Sequence, residues 1–583
     1  MDSNENEVNS RMDRRGLARQ VFGAAAFLPL RPLFGATAGA SESPSSAIPG
    51  YNPTKRMAAC FRYRSSMARN ESINAGVQAD NGDSRKFTDF SGIYSKALLH
   101  DSLGVPNKSA VNSLYKAFQT GAFSDFEDVL VGTPGGGGNS KLSGPQGAVA
   151  FDLEGMDSHS TVIPAAPSTG SAQTAAEAVE HYWAALLRDV PFNEYPSDAT
   201  VAKAVADMNK LSFVKSAGNN QIPFPVTAEN LFRGQFVRGD GNVKGPYISQ
   251  FLLQPTYFGA QQLNHQYQTF LAVGKGGNDY MTAVNEFQLV QNGGDSRRQL
   301  AYDPTNRYLR NGRDLAAYTR VDVLYQAYFT AFLLMAEIGV PLNPGNPYLG
   351  SKTQKAFGTL GGPDAAGTLA EMATRALKAA WFHKWIKDLR MRPEEYGGLV
   401  QANLTKAQPL PQAAAVLHPD MLNSASLPAV QLAYGSYLLP QAYPEGSPTH
   451  PCYPTGHGTV AGACITALKF FFDCNQKLRP LLKAAGRDVV TPSTDGLSLN
   501  TYTGGDTDQL DVDGELNKLA YNISFGHGIH AGIHFRSSTY WSILLGEQVA
   551  LSVLRDRAKS YNEPMIMDIK KMDGKRAVIT NTD

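Results

Sequence analysis

His450-Pro451-Cys452-Tyr453-Pro454-Thr455-Gly456-His457 brings a tight Pro/Gly turn, a hydroxyl and two histidines seven residues apart into one short stretch. The apolar run Val460, Ala461, Ala463, Cys464, Ile465, Leu468 and Phe471 follows at once and predicts a buried helix. Gly456 and His457 then stand at its N-terminus. Unpaired backbone N–H groups and the positive end of the helix dipole make such a terminus a binding point for tetrahedral oxyanions. The plainer alternative is a capped core helix behind a turn.

Two further blocks carry matching chemistry. In Lys384-Trp385-Ile386-Lys387-Asp388-Leu389-Arg390-Met391-Arg392-Pro393, an ammonium and a guanidinium lie near the end of a helix predicted over 365–391, which Pro393 should terminate. Lysine meets a phosphate-like anion as a point charge and arginine as a planar fork; otherwise the run is a solvated basic face. In Ser524-Phe525-Gly526-His527-Gly528-Ile529-His530-Ala531-Gly532-Ile533-His534-Phe535-Arg536, three of the chain's 11 histidines fall within eight residues. On a continuous helix, His527, His530 and His534 would share one face. Imidazoles also bind zinc or iron, but carboxylates are sparse around this cluster.

Together the three blocks resemble the vanadium-dependent haloperoxidases, in particular the algal and cyanobacterial bromoperoxidase branch, whose oxyanion site is shared with class A acid phosphatases. The pattern is a lysine, an Arg-Pro, a Pro-Ser-Gly-His turn, and an arginine shortly before a histidine. Phe151–His159, Tyr182–Phe192 and Gly312–Tyr318 also look like that branch, and the likeness runs from about Cys60 to Arg555. The resemblance implies that Lys384 and Arg392 neutralise the oxyanion's charge, with Lys384 also polarising bound peroxide. Thr455 stands where serine is usual. Gly456 would hold an equatorial oxygen, His457 the apical one, and His534 would bind vanadium directly. His450 would act as the acid–base group. One position departs. The arginine expected six residues before His534 is replaced by Gly528. One inserted residue would put His527 in its place, protonated below its ordinary pKa of ~6.5, and Arg536 is the other substitute. Trp381, three residues before Lys384, falls at the pocket wall and implies a part in halide selectivity.

The activity so implied is oxidation of bromide and iodide, with some chloride, by hydrogen peroxide on vanadate(V), giving hypohalous acid that halogenates organic acceptors. An acid phosphatase using His534 as nucleophile is the nearest alternative. A non-catalytic oxyanion-binding oligomer with a decayed site is the more distant one. The branch also implies a large homo-oligomer such as a dodecamer.

The elements that must position these residues read as helical. The expected fold is mostly α, two packed helix bundles with long ordered loops, the anion site lying between helix ends. Helices are predicted from the N-cap Ser171 to about Asp189, over 365–391, 457–473 and 513–556, and over Val321–Ile338, which should be buried. Segments 191–262, 339–364 and 405–455 read as ordered coil, 134–138 as a flexible glycine loop, and the chain beyond Lys559 as a short strand or exchanged arm. The 583 residues show no internal repeat, and 41–583 is read as a single domain. Residues 1–40, with Arg14-Arg15, the apolar run Val21–Leu30 and Ala36–Ala40, resemble a twin-arginine export signal and predict a periplasmic or extracellular protein. A net charge of +1 gives no pull toward nucleic acid or an acidic membrane, and no apolar run reaches a membrane span. Cys464 and Cys474 are too far apart on one helix to pair, so any disulfide involves Cys60 or Cys452.

Overall fold

A computed structural model describes residues 52–73, 76–101, 105–132, 140–236, 244–294 and 296–581. The predicted export signal and the glycine loop 134–138 lie outside them. Contacts divide the chain at Phe61, and Arg62–Asp583 is one compact unit. Its framework is helical: α1 (Ala172–Leu186), α2 (Gly312–Val321), α3 (Gln326–Glu337), α4 (Gly362–Phe382), α5 (Pro393–Leu404), α6 (Gly456–Phe471), α7 (Val512–Phe525) and α8 (Arg536–Ser560).

The apolar run after His457 forms α6, in which every residue is buried. A helix apolar on all sides must be wrapped by others, and α4, α7 and α8 do this. The α6–α8 contact is made by backbone. A Cβ on Gly462 would stand 1.9 Å from the Ile543 carbonyl oxygen, and one on Gly546 2.0 Å from that of Thr459. Only glycine permits such an approach. A second group gathers around α1, which packs on α5 and the short helices Pro419–Leu422 and Ser426–Tyr434. The Ser171 hydroxyl accepts from Thr174 N–H and caps α1 where expected.

Three predicted helices are interrupted, each next to the candidate site. The run 321–338 breaks at Asp322, leaving Val321 and Val323 exposed rather than buried. Helix 365–391 becomes a π-helical turn over His383–Asp388 and stops at Leu389, whose φ of 40° is left-handed. Pro393 begins α5 instead of ending α4, because its fixed φ and missing N–H suit a first helical position. The run 513–556 is α7, a π-helical turn over Gly526–His530, a non-helical stretch, and α8. The segments read as coil hold mostly turns, but also the helices Ala199–Met208 and Ser426–Tyr434. The C-terminal strand reading resolves into a hairpin, β1 (Ile566–Lys570) antiparallel to β2 (Arg576–Thr580). It lies on its own chain with Met567, Ile569, Ala577 and Ile579 inward. All four cysteines are free.

Candidate active site

Four chain breaks converge on one point: the start of α6, the turn after α4, the cap of α5 and the stretch between α7 and α8. Thr455 is the N-cap of α6, but its hydroxyl makes no capping bond and lies 3.3 Å from the Thr539 hydroxyl. The N-terminal N–H groups beginning at Gly456 have no intrahelical acceptor.

Lys384 sits in the π-helical turn after α4, fully buried. Its ammonium donates to the carbonyls of Pro451 (2.7 Å) and Cys452 (3.2 Å), leaving a third proton for another acceptor. Arg392 is equally buried. Its guanidinium reaches the carbonyls of His450, Ile533 and Pro448 and two imidazole nitrogens, Nε2 of His534 and Nδ1 of His450, each at 2.8 Å. Arginine can only donate, so both nitrogens must carry lone pairs. For His534 this agrees with Nδ1–H donating to the Cys452 carbonyl at 2.7 Å, and Nε2 is the nitrogen with ligand character. For His450, Nδ1 also lies 3.2 Å from the Pro451 carbonyl, which would need the opposite tautomer. The shorter, charge-assisted bond decides for acceptance.

His457 uses Nε2 to bond Asp322 Oδ1 at 2.9 Å, so Nδ1 is its remaining polar atom. His527 stacks on it, ring centroids 3.8 Å apart, with His534 at 5.8 Å. The π-helical turn produces this placement. Its extra residue rotates His527 toward the site and carries His530 away, where it bonds the Tyr247 hydroxyl. The three histidines therefore do not share one face. Gly528 is tightly enclosed, since a Cβ there would meet Thr539 Oγ1 and the His534 carbonyl at 3.1 and 3.2 Å. Arg536 is turned away in a buried ion pair with Glu180. Of the two substitutes for the missing arginine, only His527 lies at the site.

Burial, reinforced by neighbouring cations, pushes Lys384 well below the ordinary lysine range, and the imidazoles of His450, His527 and His534 well below 6.5. His527 is thus neutral at pH 7 by itself, lower than the sequence alone predicts. Burial is the larger cause and repulsion among the positive groups adds to it; an anion among them would oppose that repulsion. The pocket suits a tetrahedral oxyanion on two observations. Its donors are all nitrogen N–H or hydroxyl groups, with Asp322 on the far side of His457. The buried Nδ1 of His527 also has no hydrogen-bond partner. Among the described residues no cluster of His, Cys, Asp and Glu has divalent-metal geometry.

Trp381 lines the mouth, its ring 4.8 Å from His450 and 5.8 Å from the Lys384 ammonium, its indole N–H donating to the Ser143 carbonyl. Sequence reasoning missed two participants. Asp322, a lone acid in an apolar run, fixes His457. Cys452, fully buried, places its sulfur 3.5 Å from His534 Nδ1.

A helical scaffold holding a buried, cation-lined oxyanion pocket at a helix N-terminus defines the class. No family model matches the chain. Vanadium-dependent bromoperoxidases from Corallina officinalis and Ascophyllum nodosum are similar to it. The first is 33% identical over 480 residues, 73% of this chain and 77% of that protein. The second is 31% identical over 546 residues, 90% and 92%. The homohexameric structure of the second vanadate-dependent bromoperoxidase from Ascophyllum nodosum matches with a TM-score of 0.81 at 27% identity, covering 93% of each chain. The chain belongs to the vanadium-dependent bromoperoxidase family.

Proposed function

We propose that this enzyme takes vanadate as its cofactor at His534 and oxidises bromide and iodide, with some chloride at acidic pH, using hydrogen peroxide. The product is hypohalous acid, which halogenates organic acceptors. The observation that carries this reading is the convergence of Lys384, Arg392, the α6 N-terminus and the unprotonated Nε2 of His534, which Arg392 holds by a hydrogen bond, on one point, inside a scaffold shared with bromoperoxidases. When bound, vanadate supplies a Lewis acid that activates peroxide without changing its own oxidation state.

The protein groups divide the remaining work. His534 Nε2 provides the anchoring lone pair, with Cys452 O holding the ring's orientation. Lys384, Thr455, the Gly456 N–H and His527 would donate hydrogen bonds to the oxyanion's oxygens, Arg392 would add its charge, and His457, with Nε2 held by Asp322, would meet an oxygen through Nδ1. His450, neutral and with Nδ1 held by Arg392, is placed to receive and return the proton released as peroxide binds. Trp381 strips water from one wall, and its occupied N–H cannot hold a halide, which favours a harsher oxidant. Trp381→Arg should lower the chloride-to-bromide rate ratio, and an unchanged ratio removes it from selectivity.

His534→Ala should abolish vanadate binding and bromination while the circular dichroism spectrum is retained. Activity equal to the parent would end this assignment. A phosphatase assay alongside bromination, on one vanadate-loaded sample, tests the phosphatase alternative. The reading extends to the whole protein as an exported homo-oligomer, supported by the homohexameric neighbour and the Arg14-Arg15 leader. Light scattering distinguishes six subunits from twelve, and cell fractionation tests export.

A further inference from the structure

A cavity of about 350 Å³ lies apart from the residues of the active site, walled by Phe192, Tyr195, Arg233, Tyr247, Tyr502 and proline rings. That volume is within the range of small-molecule sites. Phe192 and Tyr247 stack face to face at 3.6 Å and 8°, and Tyr195 meets Phe192 edge-on at 5.4 Å. The cavity's polar side chains are mostly half-buried, and Tyr195 is buried. Arg233 lies 5.1 Å over the Tyr247 ring, its guanidinium directed by the Gly245 carbonyl at 3.1 Å. The Tyr195 hydroxyl is buried without a hydrogen-bond partner. The one carboxylate within the wall, Asp506, is taken up by Gly245 N–H and the Tyr502 hydroxyl. Glu229 is on the exposed rim and Arg310 is paired with Asp314. Aromatic side chains, a half-buried guanidinium and an unmet phenol are the complement of a flat ring carrying an acidic group.

We propose that this cavity binds a small planar aromatic carboxylate, its ring against the aromatic wall and its carboxylate toward Arg233 and the Tyr195 hydroxyl. The site is connected to the catalytic pocket. The Tyr247 hydroxyl is 3.0 Å from Nε2 of His530, the last residue of the same π-helical turn that presents His527 to the oxyanion pocket. An occupant bearing on Tyr247 therefore bears on the backbone turn that sets His527.

The binding claim does not rest on the haloperoxidase reading and is tested without activity. Calorimetry with 4-hydroxybenzoate on the full chain should show one site. Ala228→Trp, which fills the cavity from its wall, should weaken binding at least about tenfold, and Tyr195→Phe by a smaller factor, the worth of one hydrogen bond. Phenol, lacking the carboxylate, should bind more weakly. Thermal melts matching the parent establish that the variants fold. No binding to the parent, equal binding to Ala228→Trp, or equal binding of phenol would each overturn the proposal.

Discussion

His527 stands beside the position where the family resemblance implies an arginine, which here is Gly528. A histidine can replace an arginine beside an oxyanion only by taking a proton, and burial with His457, Arg392 and Lys384 nearby opposes that. Anion binding must therefore draw a proton to it. Between the low pKa of the free ring and the raised pKa of the anion-bound ring, affinity falls as pH rises. We predict that vanadate binding takes up protons near neutral pH, measurable as a calorimetric enthalpy that changes with buffer ionisation enthalpy. His527→Arg should tighten binding and flatten the pH dependence. Affinity that is unchanged or weaker in that variant would deny His527 a place in the oxyanion shell. His450 acts differently: His450→Ala should keep vanadate but slow bromination about 10²–10⁴-fold. Loss of vanadate instead would make it part of the binding shell.

At the level of elements, the histidine block and the Lys-Arg block were legible as chemistry but not as shape. Hydrophobic periodicity runs straight through 526–530 and 383–388, and nothing local in it marks an added residue. The π-helical turns come from tertiary demands: Lys384 must reach the Pro451 carbonyl and His534 the Cys452 carbonyl. Pro393 misled because proline stops one helix and starts another with equal ease. The capped start of α1 and the buried α6 were readable because caps and all-round apolarity are local signals. The α6–α8 seam supports a test. Gly462→Ala puts a Cβ against the Ile543 backbone oxygen, which cannot rotate aside. It should cost about 1–3 kcal/mol or more by urea denaturation. It should also lower vanadate affinity, although no site side chain changes. Full stability in the variant would show that the two helices slide apart freely.

For the whole molecule, burial of titratable groups sets the response to acid. Desolvation holds His100 and His265 to about 4 and His181, His383 and His530 to about 3. Each enters the native state neutral and must be charged on unfolding, so its contribution is present above pH ~6.5 and lost as pH falls. Asp388 and Glu395, raised to about 7, and Asp314, raised to about 6, work in the opposite sense, losing stability as pH rises. His450, His527 and His534 are held low by burial as well, and Asp83, Glu154, Glu547 and Asp556 are raised, so the histidines still outnumber the carboxylates. Stability should therefore fall between pH 6 and 5 by at least about 1.4 kcal/mol per unit, the worth of one group. Urea midpoints across that range check the sign, and a protein more stable at pH 5 than at pH 6 would contradict it.

The backbone seam between α6 and α8 also divides the pocket into unequal halves. Gly462 and Gly546 hold the seam main chain on main chain, and Thr455 N–H donates to the Ser538 carbonyl at 3.1 Å where α6 begins, so sequence drift there has no small steps available. The two π-helical turns, carrying Lys384 beside Trp381 and His527, can change one side chain at a time. New halide or oxyanion preferences in this lineage should therefore accumulate on the turn side, and a directed-evolution library confined to it should return many more folded, altered variants than one confined to the seam.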